Sequence, residues 1–503
     1  MKNLTRIASL LLALLMLATS AIACGDAKDP DTTTATTTVA TDSSAADTTT
    51  AATEATTEAT TEAPKYPALP EKNMNGFEMR FLNYDNSYLT WAVNQLDAEG
   101  MNGDLLNDAI YERNARVEET YNCVISETLI ARPDSELAAL IQSGDVNAEI
   151  VMLYDEQVVN HYTSGRLLTW DVLSHIDFEQ PYWSWNATQT FNIGDKTFAA
   201  TGDFSLSQNT RSFVLLFNKN MYNELGLTED MYQLVRDGKW TMEKMVAIAE
   251  HAAHDLNGDG AMKIEDDRFG ITGAIKLYFG SLVTGAGIKY IDLNEEGNPV
   301  FALAGNEYAS TVLSDILAKH NGNYVYVQIV DGIHNGSNES KTAFTNNQTL
   351  FQGTSMKAIP NYRDMSSDIG ILPFPKYSEE QESYCALTSG GAMAAIPTTL
   401  SEDSFENVGL ILEALSRDSH EGVVNVYKET MLKSKYSRDE NSADMLDIIF
   451  TSAVYDMGLS VFPSDTYYRY MEIFMRGKDT FASTTKSMEK VINNQLSKLA
   501  KKS

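Results

Sequence analysis

Apolar positions change their rhythm three times along this chain. Ile7 to Leu17 is almost unbroken hydrocarbon, residues 26–65 carry no apolar period at all, and from about residue 76 onward strand-like and helix-like patterns alternate. Phe77 to Leu82 alternates with period 2 and predicts a strand. From Gly103 to Tyr121 the apolar stripe Leu106, Ile110, Val117 and Tyr121 predicts a helix. A second strand starts at Cys123–Ile125, and Asp134 is expected to cap a helix carrying Leu137, Leu140 and Ile141 that stops at Gly144. Ile150 to Leu153 is continuously apolar, as in a strand covered on both faces. This βαβαβ order implies a mostly parallel sheet, with a ligand crevice at the carboxyl ends of its strands. Phe213 to Phe217 reads as another buried strand, Thr241 as the cap of a helix through Met242, Met245, Val246 and Ala249, and Ile369–Leu372 and Ala392–Ile396 as short strands. Helices follow, the last with Met488, Val491, Ile492, Leu496 and Leu499 on one stripe. The expected class is α/β.

The apolar start follows Lys2 and Arg6 and is too short for a stable membrane span, so residues 1–23 read as a secretory signal. Ala21-Ile22-Ala23-Cys24-Gly25 resembles the lipobox of bacterial lipoproteins, which implies a lipidated Cys24 at the mature N-terminus. Ala21-x-Ala23 also fits an ordinary signal peptidase site, which would release a soluble protein. Residues 24–65 then read as the lipidated Cys and a disordered Thr-, Ala- and Glu-rich tether in which almost nothing can be buried. Forty such residues span roughly 35 Å as a coil and about 130 Å fully stretched. The expected location is the outer face of the cell membrane.

Composition narrows the body, 66–503. Roughly 440 residues exceed one small core, so two lobes are expected, and no second apolar run of membrane length occurs. A formal charge of −31 argues against nucleic acid and anionic lipid surfaces as partners. Aromatics are abundant, with 24 Tyr, 19 Phe and 5 Trp. Cys123 and Cys385 read as two isolated buried thiols, although one disulfide is possible.

One motif carries defined chemistry. In residues 255–266, Asp255, Asn257 and Asp259 fall at positions 1, 3 and 5 of an EF-hand-like loop, Gly260 at 6, Ala261 at 7 and Asp266 at 12. Hard oxygen ligands at this spacing suit a structural Ca²⁺, with the Ala261 carbonyl as one ligand. Two departures are Asp in place of Glu at position 12 and Lys263 at position 9. Catalytic signatures are lacking: there is no Gly-x-Ser-x-Gly, no Gly-x₄-Gly-Lys-Ser/Thr and no His-Glu-x-x-His. His251 and His254 stand three apart without a third ligand nearby in sequence, and read as a solvated helix face.

A family resemblance runs through most of residues 76–500. Glu149-Ile-Val-Met-Leu-Tyr-Asp155 followed by Ser164-Gly-Arg-Leu-Leu168, Phe213-Val-Leu-Leu-Phe-Asn-Lys219 with Trp240-Thr-Met-Glu243, and Asp368-Ile-Gly-Ile-Leu-Pro-Phe-Pro375 with Gly391-Ala-Met-Ala-Ala-Ile396 keep a characteristic order. The chain resembles an extracellular solute-binding protein of a bacterial ABC importer, of the carbohydrate-binding type typified by maltose-binding protein. The resemblance implies a two-lobed periplasmic-binding-protein-like (type II) fold with a hinge and an interlobe cleft. It places lobe 1 at about 76–212 and 373–425, and lobe 2 at about 218–372 with the C-terminal helices. It further implies a non-enzymatic, monomeric protein that captures a solute, most readily a mono- or oligosaccharide, and passes it to permease subunits. A secreted, lipid-anchored carbohydrate-active enzyme and a sugar-sensing or adhesion module are the alternatives.

Sugars are held by aromatic faces and by hydrogen bonds to their hydroxyls. The expected ligand contacts are Asp85, Tyr154 and Asp155 at strand ends, Trp183 in Pro181-Tyr-Trp-Ser-Trp185, Asp203, Tyr362, Arg363 and Ser389. Tyr278 and Phe279 join them because they fall where the family's second-lobe aromatic wall falls. Asp155 and Tyr278 are expected to face each other across the cleft, solvated when it is open.

Overall fold

The structure is a computed structural model that describes residues 65–89, 91, 94–144, 147–328, 338–433 and 441–501. The expected signal segment, Cys24 and the expected tether up to residue 64 lie outside the described residues. The chain divides into two units, Met1–Pro70 and Glu71–Ser503. Of the first, residues 65–70 run without helix or strand. The second is the body.

Two five-stranded sheets organise it. In the first, β1 (Phe77–Tyr84), β2 (Cys123–Ile130), β3 (Ile150–Tyr154) and β4 (Leu167–Leu168) are joined by a late strand, in the order β2-β1-β3-late strand-β4. The second comprises β5 (Phe213–Asn218), β6 (Phe269–Ala274), β7 (Val325–Gln328), β8 (Thr349–Ser355) and β9 (Ile369–Leu372), in the order β7-β6-β8-β5-β9. The chain returns through β10 (Ala386–Leu387) to the late strand, β11 (Ala392–Pro397), which runs antiparallel to β3 with Ala392 opposite Tyr154. β1, β2 and β3 are mutually parallel, as the βαβαβ pattern requires. Ser212, leaving the first sheet for the second, bridges Thr388 on the way back, and their hydroxyls lie 3.1 Å apart. Two crossings of the chain between the sheets are thus tied together.

Local chemistry explains the helices. α1 (Leu105–Tyr121) is capped by Asp104, which accepts from the amides of Leu106 and Asn107, and it ends at Asn122 in the left-handed region (φ 50°). α2 (Pro133–Ser143) starts with Pro at its first position and stops at Gly144 (φ 75°). Asp134 is not its cap: the carboxylate is taken by Arg132 and by Gln157. α3 (Asp155–Thr163) follows β3, and the short α4 (Ser207–Arg211) precedes β5. α5 (Met242–Ala252) is capped by Thr241 as expected and lies directly on β6. The approach is so close that a side-chain carbon on Gly270 would stand 2.1 Å from the Ala249 carbonyl oxygen. α6 (Ile275–Gly285) follows β6 and is covered by α7 (Tyr467–Arg476), with α8 (Phe481–Ala500) outside it. In α8 Met488, Ile492, Leu496 and Leu499 face the core, but Val491 is half exposed.

Both described cysteines are free thiols, Cys123 buried and Cys385 half-buried. Among the described residues no helix is long and apolar enough to cross a membrane.

Candidate functional site

β3 ends where the two sheets face each other, and a cavity of about 260 Å³ opens there. One wall comes from Tyr154, Ser389 and Gly390. The other comes from Ala274, Lys276 and Leu277 at and just after the end of β6, and from Thr354, Ser355 and Ala358 at and just after the end of β8. Trp91, Arg211, Phe213, Leu387 and Leu459 complete the lining. The second wall obeys the rule that places Tyr154 in the first, since both lie at the carboxyl ends of parallel strands; Ser389 and Gly390 instead lead into the antiparallel β11.

Asp155 lies immediately beneath this floor. It is fully buried. One carboxylate oxygen accepts from the Gly390 amide (2.8 Å) and the Ser460 hydroxyl (3.2 Å), and the other from the Glu156 amide (2.8 Å). Burial, reinforced by the Glu156 charge, pushes its pKa up to about 7, against the pull of Gly390, Lys276 and Ser460. Gly390 makes the cover possible. It sits at φ +76°, and a side-chain carbon there would stand 3.0 Å from an Arg211 nitrogen and 3.3 Å from the Tyr154 hydroxyl.

Two cations face the cavity. Arg211, the last residue of α4, donates from Nε to the Ser389 carbonyl (3.1 Å) and lies with its guanidinium carbon 5.3 Å from the Phe213 ring centre. Lys276, near the start of α6, bonds Glu156 (3.0 Å) and the Tyr468 hydroxyl (2.9 Å). Burial opposes the lysine's charge, but Tyr154, Glu156 and Tyr468 more than offset it, and its pKa is raised. Burial and Arg211 together pull Lys357 down to about 8.

Of the residues expected from sequence, the cavity collects Tyr154 and Ser389. Asp155 is a structural carboxylate under it rather than a solvated ligand group. Tyr278 and Phe279 lie in the core of the second lobe, not on its wall: the former packs on His320 and Phe374, the latter on Tyr467 and Phe474. Trp183 is buried against Trp170 and Phe178, with Nε1 on Glu413 (2.8 Å). Asp203 pairs with His420 at 2.5 Å, and Tyr362 packs on Phe344 while Arg363 points to solvent. Asp85 accepts from the Ser87 amide and hydroxyl, closing its own turn after β1. None of these seven lines the cavity. Sequence reasoning missed Trp91, Arg211, Phe213, Lys276, Thr354 and Ser355. The strand-end rule that selected Tyr154 would have found Lys276 and Ser355 if applied to β6 and β8.

The acidic loop folds on itself. Asp255 accepts from the Gly258 and Gly260 amides, Asn257 from that of Asp259, and Asp259 from that of Ala261. Lys263 Nζ lies 2.6 Å from Asp259. The inward carboxylate at the loop's end is Asp267, which is buried and takes the Leu256 and Lys263 amides; the expected Asp266 is exposed. Among the described residues no three His, Cys, Asp or Glu side chains are grouped as a metal site.

Solved structures share this architecture. A cyclo/maltodextrin-binding protein complexed with maltotetraose superposes with a TM-score of 0.56 at 12% identity, over 83% of this chain and 97% of that one. UspC of M. tuberculosis gives 0.53 at 13%, over 82% and 98%. The ABC substrate-binding protein Lmo0181 of Listeria monocytogenes, in complex with cycloalternan, gives 0.50 at 13%, over 84% and 99%. The fold is that of a two-lobed solute-binding protein. No protein-family model matches the sequence, and no curated protein matches it either. A cavity lined from both sheets lies between the two lobes of such a fold, and the Ser212–Thr388 bridge joins the two chain crossings between the sheets.

Proposed function

We propose that this chain is an extracytoplasmic binding protein that captures a carbohydrate between its lobes and presents the closed form to the permease of an ABC importer. One observation carries the reading: a cavity at the carboxyl ends of strands from both sheets, lined by Trp91, Phe213 and Tyr154 and by the polar groups of Thr354, Ser355 and Ser389. Aromatic faces beside hydroxyl partners are what a sugar ring needs. The cyclo/maltodextrin-binding protein and Lmo0181 hold oligosaccharides, which supports the assignment. The volume, just below the usual range for ligand pockets, suits a short saccharide. Titration calorimetry against a saccharide library tests it: one tight ligand without turnover is expected, and turnover of a glycan would replace this reading with a carbohydrate-active enzyme.

The anchor belongs to the same proposal. Lipidated Cys24 and the tether would hold the body near the permease, so Cys24→Ser is expected to move the protein from membrane to soluble fractions. A structural Ca²⁺ is proposed on the spacing of Asp255, Asn257, Asp259 and Ala261. Its support is that the side-chain oxygens already converge on the Gly258–Ala261 turn.

A further inference from the structure

Among the described residues two arginines are buried, and they are not alike. Arg113, 1% exposed, is enclosed by protein oxygens: it donates to the Phe204 and Leu96 carbonyls, to the Ser419 hydroxyl and, from two of its nitrogens, to the Asn114 side chain. It needs nothing more. Among the described residues Arg211, 6% exposed, reaches only the Ser389 carbonyl (3.1 Å) and, weakly, the Trp91 carbonyl (3.5 Å). Among the described residues no carboxylate lies within ion-pair distance of it. The nearest candidate, Asp155, is committed to the amides of Gly390 and Glu156 and to Ser460.

The remaining edge of the guanidinium lies against the bare face of Gly390 and lines the cavity. Lys276, itself paired with Glu156 at 3.0 Å, stands on the opposite wall. No Asp or Glu is among the lining residues, although the whole chain carries a formal −31. Removing a guanidinium from water without a counter-charge is costly. Its planar fork of donors matches the oxygens of a carboxylate, sulfate or phosphate.

We infer that the cleft takes a carbohydrate bearing an anionic group, whose oxygens bind the free edge of Arg211 with Lys276 opposite. This rests on the carbohydrate-binding reading above and narrows its ligand class. The acidic exterior then serves discrimination: it repels polyanions too large to enter, while a small acidic sugar meets a cationic interior.

Calorimetry on the purified protein with three matched pairs tests the inference: trigalacturonate and its methyl ester, N-acetylgalactosamine 6-sulfate and N-acetylgalactosamine, glucose 6-phosphate and glucose. Inorganic phosphate and maltotriose complete the panel. At least one acidic member is expected to bind about tenfold or more tightly than its neutral partner, with affinity falling as salt rises. Which pair responds distinguishes carboxylate, sulfate and phosphate. Arg211→Lys and Lys276→Gln are each expected to remove most of that preference. If Arg211→Lys fails to fold, Lys276→Gln and the matched pairs still decide. Neutral sugars binding as tightly as acidic ones would overturn the inference and leave the carbohydrate reading standing. Inorganic phosphate binding as tightly as glucose 6-phosphate would overturn the carbohydrate reading instead. No binding by any saccharide would overturn both.

Discussion

Lys276 and Glu156 meet across the cleft, Nζ to Oε1 at 3.0 Å, one near the start of the helix after β6 and the other near the start of the helix after β3. Each side chain is 23% exposed, so the pair is neither a solvated surface bridge nor a dry one. It links the lobes at their binding edges, while the Tyr467 hydroxyl, on the same side as Lys276, steadies the start of α6 by donating to the Lys276 carbonyl.

Breaking that link should loosen the closed form. Glu156→Gln keeps the shape and removes the charge. A partly exposed pair is worth about 1 kcal/mol, so the closed form should weaken roughly fivefold and unliganded protein should show a larger radius of gyration by small-angle X-ray scattering. The difference between variant and wild type should shrink in high salt. Identical scattering curves would show that the pair does not contribute to closure.

Asp155 makes stability depend on pH in an unusual direction. Its native pKa is about 7 against an ordinary 3.8. Between those values the native state keeps a proton that the unfolded chain has released. The contribution is therefore complete below about pH 4 and is lost as pH rises through 7, by up to about 1.4 kcal/mol per pH unit. Asp456, raised to about 6 by burial and held by the amides of Tyr290, Ile291 and Gly458, adds to the same slope. Urea midpoints at pH 5 and pH 7.5 are the measurement. Asp155→Asn should show a smaller fall between them than wild type, because the Asp456 share persists. An equal fall would mean that Asp155 ionises normally in the native state.

Tyr278 separates packing from binding. It is 2% exposed, against Phe374 and His320. Tyr278→Ala should cost about 3–5 kcal/mol of stability, as aromatic truncation in a core does, with ligand affinity per folded molecule unchanged. A melt beside a titration checks both. A stable variant with weakened binding would return Tyr278 to the cleft wall.

The two outcomes at Tyr278 and Tyr154 show how far the sequence could be read. β3 and β5 were legible because their runs are apolar without interruption, and Tyr154 followed from its place at the end of β3. One residue later the rule gave the wrong face: α3 begins at Asp155, and the Gly390 loop, 235 residues on, folds over its carboxylate. Tyr278 failed for another reason. α6 is buried on nearly every side, including Tyr278 through Gly285, so no apolar stripe marks which face meets the cleft. Arg211 was invisible because its surroundings are assembled from distant chain, with Ser389 178 residues away. Local pattern encodes which residues enter an element, but not which loop later covers its end.

The acidic loop gives the last test. Ca²⁺ that binds only the folded loop stabilises it by RT ln(1 + [Ca²⁺]/Kd), about 2.7 kcal/mol at a hundred times Kd. The melting temperature should therefore rise on adding millimolar Ca²⁺ after chelation, and Asp255→Ala should abolish the rise. Lys263 supplies a more discriminating variant. Its ammonium, 2.6 Å from Asp259, occupies an oxygen that a cation would need, and the Asp259 carboxyl pKa is lowered by that contact first. Lys263→Gln should therefore tighten Ca²⁺ binding while leaving the fold intact, since both groups are exposed. If wild type and Lys263→Gln melt identically with Ca²⁺ and with chelator, the loop is a turn closed by its own amides and by Asp267, and the proposed calcium is wrong.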